Sequence, residues 1–165
     1  MTVMRIQSGE MGSNSYILID EKSGEGAVID VGSFSSELQT AISQSGMKRL
    51  KYILLTHGHF DHILGVYDIK QKYPDAEIAI HREDAMCLSD PEESLASTGA
   101  HIQKPVCADI LLEDGDIIRL GESQLRVMHT PGHTMGGVCY IFESEHTIFS
   151  GDTLFCRTVG RTDLR

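Results

Sequence analysis

Three histidines and an aspartate fall within six positions, His57, His59, Asp61 and His62, directly after the apolar run Tyr52-Ile53-Leu54-Leu55. No other stretch limits the fold as much. The run reads as a buried strand, helical spacing resumes at Ile63, and between them sit side chains too polar to bury singly. A shared divalent cation would satisfy them together. His57 and His59 are two apart, so in extended backbone both rings project to one side and reach one ion, with Gly58 between them letting the chain turn. Asp61 and His62 lie on the next turn, where a second ion has room. Nitrogen and oxygen donors without a thiolate suit zinc, iron(II) or manganese and speak against a sulfur-rich structural zinc site. The alternative is a histidine-rich loop with no metal. Four ligand types in so short a window, with a strand before and a helix after, favour the ion.

The 165 residues, 41% of them hydrophobic, are enough for one globular domain with its own core and too few for two. Against 24 acidic residues stand 14 basic ones, and the formal charge of −10 disfavours nucleic acid or an anionic membrane as partner. Bound cations would offset part of it. Cys87, Cys107, Cys139 and Cys156 form no C-x-x-C pair, and the N-terminus carries no charged segment followed by an apolar run, which together point to a reducing cytoplasm. No window reaches the length of an apolar membrane span.

In chain order, strands are expected over residues 1–7, 14–20 and 27–32, an antiparallel meander. A helix capped by Ser35 or Ser36 runs to about Ser45, with Leu38 and Ile42 inward and Gly46 as its stop. The strand at 51–55 leads into the histidine loop and then a helix over 63–72, with Ile63, Val66, Tyr67 and Ile69 on one stripe before Pro74. A strand at 77–80, a short helix at 82–89 and a long mobile loop or broken helix at 90–106 follow. Segments 109–112, 116–120, 124–129, 138–142 and 147–149 read as a second antiparallel meander. The result is a mixed α/β fold, sheets flanked by helices.

Two further turns present ligand-type residues after strands. Thr130-Pro131-Gly132-His133-Thr134 holds His133 out from a sheet edge, and Ser150-Gly151-Asp152-Thr153 does the same for Asp152. Taken singly these are ordinary turns; together with the first loop they are metal ligands. His81, His101, His129 and His146 lack such a setting and are read as surface or internally satisfied histidines.

The three motifs, with Leu154-Phe155 and Gly160-Arg161-Thr162-Asp163 after the last, closely resemble the metallo-β-lactamase-fold hydrolases, and within them the glyoxalase II-like branch of hydroxyacylglutathione hydrolases and their small bacterial relatives. The resemblance implies a four-layer αββα sandwich with a metal pocket at one sheet edge. It implies His57, His59 and His133 at a first metal, Asp61 and His62 at a second, and Asp152 bridging both. Asp61 and Asp152 are then the carboxylates of the catalytic centre, zinc the expected ion, and the reaction hydrolysis of a small thioester or ester by metal-activated water. The family also continues beyond the Gly-Arg-Thr-Asp segment into a strand, a helix and a further second-site histidine. This sequence stops at Arg165, so the expectation is a C-terminally incomplete domain with a second site short of one ligand, and without the helical glutathione-binding domain of glyoxalase II. Two other functions share the signature: a persulfide dioxygenase holding one iron through two histidines and an aspartate, and a metal-binding fragment without turnover. Arg157, Arg161 and residues 90–106 are the expected substrate contacts.

Overall fold

The computed structural model describes residues 1–99 and 101–163. Alternating apolar and polar residues near the N-terminus produce an antiparallel ladder of β1 (Thr2–Ser8), β2 (Ser13–Ile19) and β3 (Glu25–Ile29), with Thr2 opposite Ile19 and Tyr16 opposite Ile29. β4 (Arg49–Leu54) and β5 (Glu77–His81) then add in parallel, as strands joined through helices do. The helix between β3 and β4, α1 (Ser36–Gln44), begins where the Ser35 hydroxyl accepts from the Leu38 amide, and it buries Leu38, Ala41 and Ile42.

The helix expected over 63–72 is two pieces, α2 (Phe60–Ile63) and α3 (Val66–Lys72). The chain just after β3 competes for their backbone groups: the Val31 amide donates to the His62 carbonyl at 2.7 Å, and the Gly65 amide to the Val31 carbonyl at 2.8 Å. Only glycine allows that approach, since a Cβ on Gly65 would lie 2.5 Å from the Phe34 nitrogen.

β6 (Ile110–Leu112), expected in the second meander, is instead the edge of the first sheet, parallel to β5. The chain between them, with 3-10 turns at Arg82–Leu88 and Ala96–Gly99, is long enough to return in the same direction. Asp109 fixes the docking, its carboxylate accepting from the Ile78 amide and the Lys70 ammonium, each at 2.9 Å. Nor are the described residues of 90–106 a free loop. Ser94 and Ala96 are buried, and the Ser94 carbonyl accepts from the Phe60 amide at 2.9 Å, tying the segment to the start of α2.

The second sheet has β7 (Ile117–Leu120), β8 (Ser123–His129), β9 (Val138–Phe142) and β10 (Thr147–Phe149) in the antiparallel order β10-β9-β8-β7. A small hairpin not expected from the sequence follows, β11 (Leu154–Phe155) and β12 (Thr158–Val159).

The middle of the six-stranded first sheet is apolar on both faces, which requires cover on both. Ile17, Ile53, Ile78 and Ile80 share one core with Leu38 and Ile42 of α1 and Val66 and Ile69 of α3. The alternate residues Leu18, Leu54 and Ala79 share the other with Leu120, Leu125, Val127 and Tyr140 of the second sheet. Helices, sheet and sheet are therefore stacked in that order, the mixed α/β arrangement expected of the sandwich. Among the described residues no helix lies over the outer side of the second sheet, where Ile117 and Ile148 are exposed. No helix among them is long and apolar enough to cross a membrane.

Candidate metal centre

β3, β4 and β5 run parallel, so the residues that follow them emerge at one edge, the usual place for a site in such a sheet. From β3 comes Asp30, from β4 the loop Thr56 to His62, and from β5 Asp84. The turns after β8 and β10 bring His133 and Asp152 to the same place. His57, His59 and His133 offer ring nitrogens, and His57, His62 and Asp152 a second set, each set lying within 4.8 Å of itself. Asp61 joins through its Oδ2, 3.6 Å from His62 Nε2. All six side chains expected from the sequence thus converge.

The hydrogen bonds decide which nitrogen each ring presents. The Thr56 hydroxyl donates to Asp30 Oδ2 at 2.7 Å and so accepts from His57 Nδ1 at 3.1 Å. His62 Nδ1 donates to Asp30 Oδ2 at 2.8 Å, and His133 Nδ1 to the Arg161 carbonyl at 2.9 Å. In the neutral form of each of these three rings the proton sits on Nδ1 and Nε2 carries the lone pair. His59 points its Nδ1 inward, 2.9 Å from His133 Nε2. Nε2 of His57 is buried and meets no hydrogen-bond partner among the described residues. A buried bare lone pair costs about 1–3 kcal/mol unless something electrophilic sits on it, so the donor set fits a divalent cation. Asp152 straddles the two sets, with Oδ1 3.3 Å from His62 Nε2 and Oδ2 3.5 Å from His133 Nε2.

Titration behaviour follows from burial and charge. Burial, then the neighbouring His62, His59 and His133, hold His57 well below the ordinary histidine range, so it is neutral and ready to donate. Burial also opposes charge on His62, but Asp30, with Asp152 and Asp61, outweighs it and pushes the pKa up to about 10. The imidazolium of His62 thus takes a cation's place among three carboxylates. Burial works against the charge of Asp152, and its hydrogen bond to His62 overcomes this and keeps the carboxyl below its usual value.

Sequence reasoning passed over several residues that build this site. Asp30 is buried at a left-handed φ of 55°, and accepts from the Thr56 amide (2.8 Å), the Thr56 hydroxyl and His62. Its signal was present: a carboxylate at the end of a buried strand carries the same burial cost that singled out the histidine loop. Asp84 gave no signal, lying in the charged run Arg82-Glu83-Asp84. It is buried, and its two oxygens accept from the amides of Gly58 (2.9 Å) and Gly136 (2.6 Å), joining the loop of His57 to the turn of His133. Ser13 donates to Asp61 Oδ2 at 2.9 Å. The role expected of Gly58 was wrong. Its φ is not positive, and it is glycine because a Cβ there would lie 2.4 Å from the Cys87 Cβ. Of the expected substrate contacts, Arg161 spends its guanidinium on Asp163, at 2.6 and 2.7 Å, and Arg157 sits exposed at the β11–β12 turn with φ 72°. A cavity of about 550 Å³ lies over the ligands, its walls including Arg5, Tyr16, Asp61, His62, Asp152 and Phe155.

The description "Metallo-beta-lactamase superfamily" matches residues 8–165. The chain belongs to that superfamily. This metallo-β-lactamase-fold chain is 33% identical over 159 residues to a probable metallo-hydrolase of Streptococcus pyogenes, covering 93% of itself and 66% of that protein. It is 34% identical over 146 residues to a hydroxyacylglutathione hydrolase of Rhodopseudomonas palustris, covering 88% of itself but only 49% of that protein. Among solved structures, BLEG-1 B3 metallo-beta-lactamase superimposes with a TM-score of 0.90 at 34% identity, over 99% of this chain and 78% of that one. TTHA1623 in a di-iron-bound form superimposes with a TM-score of 0.82 at 30% identity, over 98% and 77%.

Proposed function

We propose that this chain is a metallo-hydrolase that cleaves small thioesters or related esters. In this reading His57, His59 and His133 would hold a first ion, Asp61 and His62 a second, and Asp152, which faces both sets, would be shared between them. The observation that carries it is the placing of the Asp152 carboxylate, one oxygen toward His62 and the other toward His133, next to the bare buried nitrogen of His57. An ion held there supplies a Lewis acid for the substrate carbonyl and brings the pKa of water from about 15.7 to about 7.

The protein's own groups do the rest. Thr56, Asp30 and the Arg161 carbonyl each occupy an Nδ1 proton and keep the facing nitrogen available. Asp84 fixes the distance between the two histidine-bearing loops. With water made nucleophilic in this way, hydrolysis would form the bond to the carbonyl carbon and break the carbon–sulfur bond, and the thiolate would leave without a dedicated acid because its pKa is only about 8.5. Resemblance to a hydroxyacylglutathione hydrolase supports the thioester, and the probable metallo-hydrolase supports the reaction class.

The test is hydrolysis of a set of acyl thioesters by protein loaded with zinc, iron or manganese, with metal counted by mass spectrometry. His59→Ala is expected to lose metal and activity together; a variant keeping both would remove His59 from the site. A single-iron persulfide dioxygenase is the second reading, favoured by the presence of two imidazoles and one carboxylate in a common set, His57, His62 and Asp152. One iron per chain with oxygen uptake on a persulfide, and no thioester turnover, would establish that reading instead.

A further inference from the structure

A second cleft, of about 490 Å³, opens beside the metal centre between the β1–β2 turn, the start of α1 and the helices after β4. Met11 and Asp61 line both this cleft and the cavity over the ligands, so the two adjoin. The cavity over the ligands has its own apolar wall of Tyr16, Phe149, Leu154 and Phe155, suited to an acyl chain. A substrate with its carbonyl at the ligands has the second cleft left for its other half.

That cleft has aromatic walls and one sign of charge. Phe34 and Phe60 line it, and His101 lies flat on Phe60 with ring centroids 4.4 Å apart and planes 20° apart. Glu10, Glu37, Asp61 and Asp68 line it, and among the described residues no lysine or arginine does. The cations nearby are already engaged: Lys104 pairs with Asp68 at 2.7 Å, and Lys72 lies over Phe34, 5.6 Å from its centroid. No ion pair of Glu10 or Glu37 is found among the described residues.

We propose that this cleft takes the leaving-thiol half of the substrate and selects thiols carrying an ammonium group over anionic thiols such as glutathione. The inference rests on the thioester-hydrolase reading. The physical basis is the attraction of an ammonium to the carboxylates of Glu10 and Glu37, which carry no ion pair among the described residues, and to the aromatic wall, and the repulsion of a substrate carboxylate by the same carboxylates.

Three thioacetates of one length make the test: acetylthiocholine, its uncharged isostere with carbon in place of nitrogen, and an analogue ending in carboxylate. With the zinc-loaded protein, kcat/KM for acetylthiocholine is expected to exceed that of the carboxylate analogue about tenfold at low salt, and the ratio to shrink toward one at about 1 M salt, where screening is complete within about 3 Å. Glu10→Lys combined with Glu37→Lys should level or invert the ratio. In parallel, saturation-transfer NMR should show choline binding to the zinc-loaded protein, and the double variant should lose it. Equal rates on all three substrates, or a preference for the anion that Arg5→Ala removes, would overturn the proposal. If no thioester is cleaved while choline still binds through Glu10 and Glu37, the hydrolase reading fails and the charge selection of the cleft stands. Absence of choline binding, with thioesters cleaved, has the opposite meaning.

Discussion

Asp30 shows how one side chain can set the state of several others. It holds the Thr56 hydroxyl, which orients His57, and it holds Nδ1 of His62 directly. Asp30→Asn should therefore weaken metal binding at the His62–Asp152 set by about 10–100-fold, the usual cost of losing a partner behind a ligand. Competition against a chromophoric chelator measures this, and an unchanged affinity would show that the rings are fixed by packing alone. The same carboxylate raises His62 to about 10 in the metal-free protein, against about 6.5 for an unfolded histidine. A group raised in this way adds stability that is complete below about pH 6.5 and is lost as pH climbs through about 10. An ion must displace that proton. Metal uptake at His62 near neutral pH should accordingly release about one proton and tighten as pH rises, which a pH-indicator dye in weak buffer records during titration.

At the scale of elements, the loops work because two pieces of chain come unusually close. Gly58 packs against Cys87, and Asp84 on the same 3-10 turn accepts from the Gly58 amide and, across the site, from Gly136. Gly58→Ala would push a methyl group into Cys87 and is expected to cost about 1–3 kcal/mol, read as a lower urea midpoint at unchanged slope. A neutral result would mean that the turn yields without strain. The elements legible in the sequence were those with a local cause, such as the Ser35 cap, the apolar strands and the hairpin turns. The break between α2 and α3 had no local cause, because it comes from Val31, a residue distant in sequence that takes hydrogen bonds from the helical path. The sheet membership of β6 was likewise hidden: a short apolar strand has the same pattern in either sheet, and what places it is the reach of Asp109 to Ile78 and Lys70.

For the whole molecule, the site gathers residues from across the sequence on one sheet edge, so metal and fold are thermodynamically linked. With free metal at about a hundred times its Kd, binding adds about 2.7 kcal/mol, and a chain of this size gains about 2–4 °C in Tm per kcal/mol. Chelation should lower Tm by about 5–10 °C in a calorimeter, and His57→Ala should start from the lower value and not respond to chelator. The sequence by itself determined the types of side chain that meet at the site, their spacing along the chain, and the alternation of apolar residues that makes central strands, because these depend on neighbours within a few positions. Tertiary structure alone decided which ring nitrogen faces the centre of the cluster, that Asp30 and Asp84 belong to the site, and that an acidic cleft adjoins it. Those outcomes depend on groups brought together by packing between separate strands, and a linear pattern carries no record of which buried groups will meet.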